Sequence, residues 1–258
     1  MEQKFFFFDI DNTLAVWPEG KIPDSAQYCI DELQRRGHLV SIATGRIQVD
    51  AMRFAEQARI TNVVADGGHS ITIDGKLVSM IGMNRDMCIQ YLEYLESKHI
   101  PWAVTDRNKL GRITPYKEIL EWHPDWDVFK TVVDPEFDFH SVEDFYKIYV
   151  FFKDGEEKEK DIEHMTHKLI RYGEGCVLYE PMEKALGVRN MIEHFHMKPN
   201  QVVVFGDGYN DLSMFRPEWL NIAMGNARAE LKLAADYITT DCDKDGIYNA
   251  CKHFGWID

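Results

Sequence analysis

Four consecutive phenylalanines, Phe5 to Phe8, run straight into two acids, Asp9 and Asp11, in the stretch KFFFFDIDNT. Side chains of an extended segment alternate between faces, so a run that is apolar at every position must be covered on both sides. That limits the chain to architectures whose central sheet is buried on both faces. Two carboxylates in the same interior would be costly as unpaired charges. The segment therefore reads as a buried strand whose tip, Asp9 and Asp11, is functional.

Other short apolar runs repeat the pattern: Leu39–Ala43, Val63–Ala65, Val202–Phe205 and Leu220–Met224, each ending in a polar or glycine-rich turn. Between them lie helical patterns at Ser25–Arg36, Ile47–Arg59, Val188–Phe195 and Ala227–Ala235. Strands alternating with helices imply βαβ units and an α/β fold, a doubly wound parallel sheet. The alternation breaks between about Gly82 and Met182. A helix at Met87–Lys98, a strand at Lys147–Phe152, a charged helix at Glu156–Arg171 and a strand at Cys176–Tyr179 suggest a smaller inserted α+β domain. The expected organisation is a core of residues 1–81 and 183–258 around an insertion of residues 82–182.

Ligands of an open parallel sheet bind beyond the carboxyl ends of its strands. Asp9, Asp11, Asn12 and Thr13 follow the first run, Thr44, Gly45 and Arg46 the second, DGG (Asp66–Gly68) the third, and GDGYND (Gly206–Asp211) the fourth. Two strands thus deliver Asp9, Asp11, Asp207 and Asp211 to one edge. Carboxylates sharing a site repel, so some must protonate or a cation must sit among them. Oxygen donors without a nearby His or Cys favour a hard divalent cation, most simply Mg²⁺. With 29 basic and 43 acidic residues the net charge is −14, which argues against nucleic-acid or anionic-membrane binding. An anionic substrate would need local attraction from metal, lysine or a helix N-terminus.

Several motifs are excluded. An EF-hand starting at Asp9 would have Leu14 in place of its glycine and Gly20 in place of its glutamate. GDGYND puts Asp211 where a dinucleotide-binding turn has its last glycine, and no P-loop occurs. Five scattered cysteines, none at CxxC spacing, read as reduced thiols. Without a leader pattern or a run of ~18 apolar residues, the expected location is cytoplasmic.

FFFDIDNTL, SIATGR, Lys184 and VVVFGDGYNDLSMF resemble, in order, the four motifs of the haloacid dehalogenase superfamily of phosphohydrolases. The insertion and the terminal DGIYNACKHF resemble its Cof-type, class IIB branch, whose core is Rossmann-like and whose insertion is a cap. The resemblance implies that Asp9 is the nucleophile and Asp11 the general acid and base. It implies that Mg²⁺ is held by Asp207, one Asp9 oxygen and the Asp11 carbonyl, with Asp211 orienting the metal's surroundings. Thr44, Lys184 and Asn210 would bind the transferring phosphoryl group. Asn12 stands where the family usually has Gly, and Ala185 follows the lysine where Gly is common. Thr44 is also placed to cap the helix after it, and Arg46 reads as structural or peripheral.

The implied activity is a Mg²⁺-dependent phosphatase acting on a small phosphorylated metabolite, such as a sugar phosphate, as a monomer or weak homodimer. A phosphomutase and a non-catalytic binding module are the alternatives. Substrate choice is expected to reside in the insertion, through Trp102, Tyr116, Trp122 and Trp126 or Arg107, Lys109 and Arg112, unless the tryptophans are that domain's core.

Overall fold

The computed structural model describes residues 2–125, 128–153, 156, 161–163 and 169–258. The chain forms two units: Met1–Met80 with Met182–Asp258, and Ile81–Pro181. No helix among the described residues is long and apolar enough to cross a membrane.

The first unit is built on an eight-stranded sheet. Its order is Tyr237–Ile238, Leu220–Ala223, Val202–Gly206, Phe5–Phe8, Leu39–Ala43, Asn62–Ala65, Ser70–Ile73, Lys76–Met80. The first six strands are parallel and the last two antiparallel. The phenylalanine strand is central, with Phe8 level with Ile42 on one side and Phe205 on the other. All four of its side chains are fully buried. On one face Phe5 meets Phe195, just past helix Lys184–His194, edge-on at 5.4 Å. On the other Phe6 meets Trp256, just past helix Gly246–His253, at 4.8 Å. Cover on both faces is what the unbroken apolar run required. The chain winds one way from Phe5–Phe8 through Leu39–Ala43 to Asn62–Ala65. It winds the other way from Val202–Gly206 to Tyr237–Ile238. The topological switch point therefore lies between Phe5–Phe8 and Val202–Gly206, which end at Asp9 and Asp207.

The antiparallel edge is an addition to the expected parallel sheet. Asp74 and Gly75, at φ 49° and 75°, make the tight turn joining Ser70–Ile73 to Lys76–Met80. Two positive φ values in a two-residue loop are what an Asp-Gly hairpin turn supplies.

His38 gives this unit a pH-dependent term. Its Nδ1 accepts the Lys4 amide at 3.0 Å and its ring meets Phe6 edge-on at 5.4 Å, while its buried Nε2 has no partner among the described residues. Burial pushes the imidazole pKa below its ordinary value. The unfolded chain therefore takes up this proton first as pH falls below ~6.5, and stability declines until the folded protein can bind it too. His38→Asn, which can keep an acceptor for the Lys4 amide, should show a flatter dependence of Tm on pH between about 7 and 5 than the wild type. Parallel Tm–pH curves would contradict this.

The second unit carries a six-stranded sheet. Its order is Leu169–Gly173, Cys176–Tyr179, Lys147–Phe151, Trp102–Thr105, Gly111–Thr114, Lys130–Val133, antiparallel except for the last pair. Helix Arg85–Ser97 covers it through Tyr91, Leu92 and Leu95. Most of the expected helix Glu156–Arg171 lies outside the described residues, and its last three residues begin a strand instead. Trp126 also lies outside them. Trp102 is core: it is fully buried, and Glu96 accepts both its Nε1–H at 2.8 Å and the Tyr116 hydroxyl at 2.7 Å. Trp122 packs at the edge of a second cluster with Phe129 and Phe151. Arg112 is buried as well, its guanidinium 4.9 Å from the Phe151 ring centroid and bonded to Thr131 and the His123 carbonyl. Arg107 and Lys109 are exposed.

Candidate active site

The strand ends of the first unit bring the candidate site residues together. Asp9 continues the ladder by donating its amide to the Phe205 carbonyl at 3.1 Å, then the chain turns sharply. Asn12 is left-handed at φ 56°, its amide bonded to the Ala15 carbonyl at 2.7 Å. Asn tolerates that conformation better than most residues, so it can replace the usual glycine here. Its side-chain oxygen accepts the Trp17 amide at 3.3 Å, which adds a tie glycine would lack.

Lys184 comes from the other side. Helix Lys184–His194 begins four residues earlier than its apolar pattern suggests, which places the lysine in the first turn. A close approach makes this possible. A Cβ on Gly68 would lie 2.2 Å from the Glu183 carbonyl, and one on Gly187 would lie 2.3 Å from Val64. The Glu183 amide bonds the Gly67 carbonyl at 2.8 Å and the Lys184 amide donates to Ser213 Oγ at 3.1 Å. The Lys184 ammonium is thereby held 2.6 Å from Asp9 Oδ1 and 2.6 Å from Asp211 Oδ1, with all three side chains essentially inaccessible.

Asp211 is committed on both oxygens. Oδ2 accepts the amides of Asp207 at 2.9 Å and Gly208 at 2.8 Å. It folds back so tightly that a Cβ on Gly206 would lie 2.7 Å from its carboxyl carbon. Asp211 thus fixes the loop that presents Asp207. Oxygens of Asp9, Asp207 and Asp211 lie within 4.8 Å of one another.

These groups share too little positive charge. Burial, and then Asp211, pushes the Asp9 carboxyl well above the ordinary carboxylate range despite Lys184. Burial and Asp211 push Asp207 up to about 7. Burial also opposes charge on Lys184, but Asp211 and Asp9 outweigh it and hold the ammonium above its ordinary pKa. A site that disfavours ionised carboxylates until another cation arrives has the charge and the donor set for a hard divalent ion. Asp9 and Asp207 fit that ion best, because Asp211 already accepts two amides on Oδ2 and the Lys184 ammonium on Oδ1.

Thr44 is buried with its amide on the Val64 carbonyl at 2.9 Å, and its hydroxyl oxygen accepts the Arg46 amide at 3.1 Å. It does not cap the following helix, Gln48–Ala58. That role falls to Asp66, whose Oδ2 accepts the Gln48 amide at 3.0 Å. Asn210 is half-buried, and its side chain has no hydrogen-bond partner among the described residues. Asp11 does not join the acid cluster. Its carboxylate, 41% exposed, faces Arg46. Ser213 is the participant that sequence reasoning passed over, whereas Arg46 reads there as structural or peripheral and Asp66 only as a strand-end residue.

The model of the haloacid dehalogenase-like hydrolase family matches residues 6–251. The chain is 30% identical over 263 residues to "Putative phosphatase YkrA" of Bacillus subtilis (strain 168), and the match covers all of both chains. It is 29% identical over 259 residues to "Putative bifunctional phosphatase/peptidyl-prolyl cis-trans isomerase" of Streptococcus pyogenes serotype M6, and there it spans only 54% of the relative's length. Among solved structures it resembles the HAD subclass IIB sugar phosphatase BT4131, with a TM-score of 0.79 and 26% identity over 99% of this chain and all of that one.

Proposed function

The chain belongs to the haloacid dehalogenase-like hydrolases, and from that premise we propose that it is a Mg²⁺-dependent phosphatase of small phosphorylated metabolites, sugar phosphates foremost, working through an aspartyl-phosphate. The observation that carries this reading is the buried Asp9–Lys184–Asp211 arrangement beside Asp207 at the switch point. The sugar-phosphate part leans on the name of the subclass IIB structure above.

Asp9 is the nucleophile. Lys184 occupies Oδ1, so Oδ2 is the oxygen that attacks phosphorus. The new O–P bond forms as the bond to the leaving alcohol breaks, and Asp11 gives that alcohol its proton. Asp11 then takes a proton from the water that splits the aspartyl-phosphate. Lys184 keeps Asp9 oriented and offers positive charge to the phosphoryl oxygens. Thr44 accepts from Arg46 and so can still donate its own hydroxyl hydrogen to one of those oxygens. Asn210 has an uncommitted amide for the same group. Asp9, Asp207 and the Asp11 carbonyl are the groups that would hold Mg²⁺. When bound, it would neutralise repulsion between Asp9 and the incoming phosphate.

Release of phosphate from sugar phosphates and from p-nitrophenyl phosphate tests the reading. Activity should vanish in EDTA, return with Mg²⁺ and return poorly with Ca²⁺, which takes more ligands at longer distances and would claim both Asp9 oxygens. Mg²⁺ should also raise Tm in the absence of substrate, because it relieves the acid cluster. Full activity in chelator, or an Asp207→Asn protein whose Tm still responds to Mg²⁺ as the wild type does, would refute the metal assignment.

A further inference from the structure

Arg46 grips both oxygens of Asp11, with Nε 2.9 Å from Oδ2 and a terminal nitrogen 2.6 Å from Oδ1. We infer that Arg46 is the positioning residue for Asp11, a rigid fork that holds the general acid and base in place while it works. This rests on the phosphatase reading above and extends it to a residue outside the reacting set.

The fork is itself fixed at every point. Its remaining terminal nitrogen donates to Asp50 Oδ2 at 2.6 Å, and its guanidinium carbon lies 4.5 Å from the Phe54 ring centroid. Asp50 and Phe54 belong to helix Gln48–Ala58 and are buried. The backbone is pinned too, with the Arg46 amide on Thr44 Oγ1 at 3.1 Å and the Arg46 carbonyl accepting the Asp66 amide at 2.8 Å. Only 14% of the Arg46 side chain is exposed, against 41% for Asp11. The more exposed partner is the aspartate and the anchored one is the arginine.

Holding Asp11 this way need not silence it. A carboxylate offers two lone pairs on each oxygen, and a bidentate guanidinium uses one on each. The second pair on either oxygen is left to carry the proton to the leaving group and to take one from water. A planar fork fixes the carboxyl plane, which a lysine's single rotatable ammonium cannot do. Misplacement of such a group by about 1 Å can cost on the order of 10²-fold in rate. Asp50 extends the same support one residue further.

The test compares Arg46→Lys and Asp50→Asn, alone and combined with Asp11→Asn. First-turnover alcohol release is followed from glycerol 1-phosphate, whose leaving group needs a proton, and from p-nitrophenyl phosphate, whose leaving group does not. Arg46→Lys should slow glycerol release about 10- to 100-fold and nitrophenol release less than about 3-fold, with little change in KM. Asp50→Asn should show the same asymmetry in weaker form. Neither change should cost anything further in the Asp11→Asn background. Equal slowing of both esters, or an undiminished effect when Asp11 is already Asn, would overturn the inference and leave the phosphatase reading intact. If Asp11→Asn fails to separate the two esters, the acid assignment falls, and this inference falls with it. Tm of each variant distinguishes these outcomes from unfolding.

Discussion

Asp9→Asn should abolish turnover, by on the order of 10⁴- to 10⁶-fold as for loss of other covalent nucleophiles, without loosening the fold. The amide has the carboxylate's shape but cannot attack phosphorus. Its effect on stability should run opposite to that of an ordinary buried substitution. Burial and Asp211 disfavour the Asp9 charge strongly, and the amide removes that charge. The amide oxygen can still accept from Lys184, which keeps Asp211 as its ionic partner at 2.6 Å. In chelator, Tm should therefore equal or exceed that of the wild type. In Mg²⁺ the order should reverse, because the variant has lost an anionic ligand. A variant that is inactive because it is unfolded in chelator would contradict the placement of Asp9 in an over-acidic cluster.

Lys184→Met should be the most disruptive single change to the fold of this site. It leaves Asp9 and Asp211, both almost wholly buried, facing each other without a counter-charge. Breaking a buried pair on one side costs about 3–5 kcal/mol, most of it from the charges left behind. Turnover should fall a further 10²- to 10³-fold, roughly the cost of one lost donor to a developing oxyanion. Stabilisation by Mg²⁺ should be larger than in the wild type, since the cation then supplies charge that the lysine supplied. The measurement is thermal unfolding with and without Mg²⁺, alongside phosphate release. A variant as stable as the wild type, with an unchanged response to Mg²⁺, would mean that the lysine is not the charge holding these acids together.

The core of the first unit was legible because its determinants are local. Phe5–Phe8 and Val202–Gly206 carry no polar side chain and Leu39–Ala43 only Ser41, and position after the strand is all that placing Asp9 and Asp207 required. What escaped depends on partners remote in sequence. The grip of Arg46 on Asp11 joins residues 35 apart, and nothing in the spacing encodes it. Lys184 was readable as the start of a helix, although the apolar pattern begins only at Val188 and Gly187 before it reads as a helix breaker. Its missing Cβ is instead what lets the helix pack on Val64 and Gly68. In the second unit, Arg112 in GRIT reads as a surface or ligand-binding cation, yet it is buried among Phe129, Tyr149 and Phe151. Trp102 serves the core, the alternative that the sequence reading sets beside substrate contact. The Asp74-Gly75 hairpin was a readable signal, a turn dipeptide between apolar runs, that the strand–helix pattern drew attention away from.

In the proposed reaction phosphate passes through a covalent bond to Asp9. Asp11→Asn protein, which can expel p-nitrophenolate without a general acid but lacks the base that activates water, should accumulate that species. Mixing it with p-nitrophenyl phosphate and Mg²⁺, quenching in cold acid and mapping peptides by mass spectrometry reads the outcome directly. One hydroxylamine-labile phosphoryl group per chain is expected on the peptide containing Asp9, formed as fast as nitrophenol appears. Nitrophenol release with no covalent phosphate at any time, or phosphate on another residue, would contradict this route.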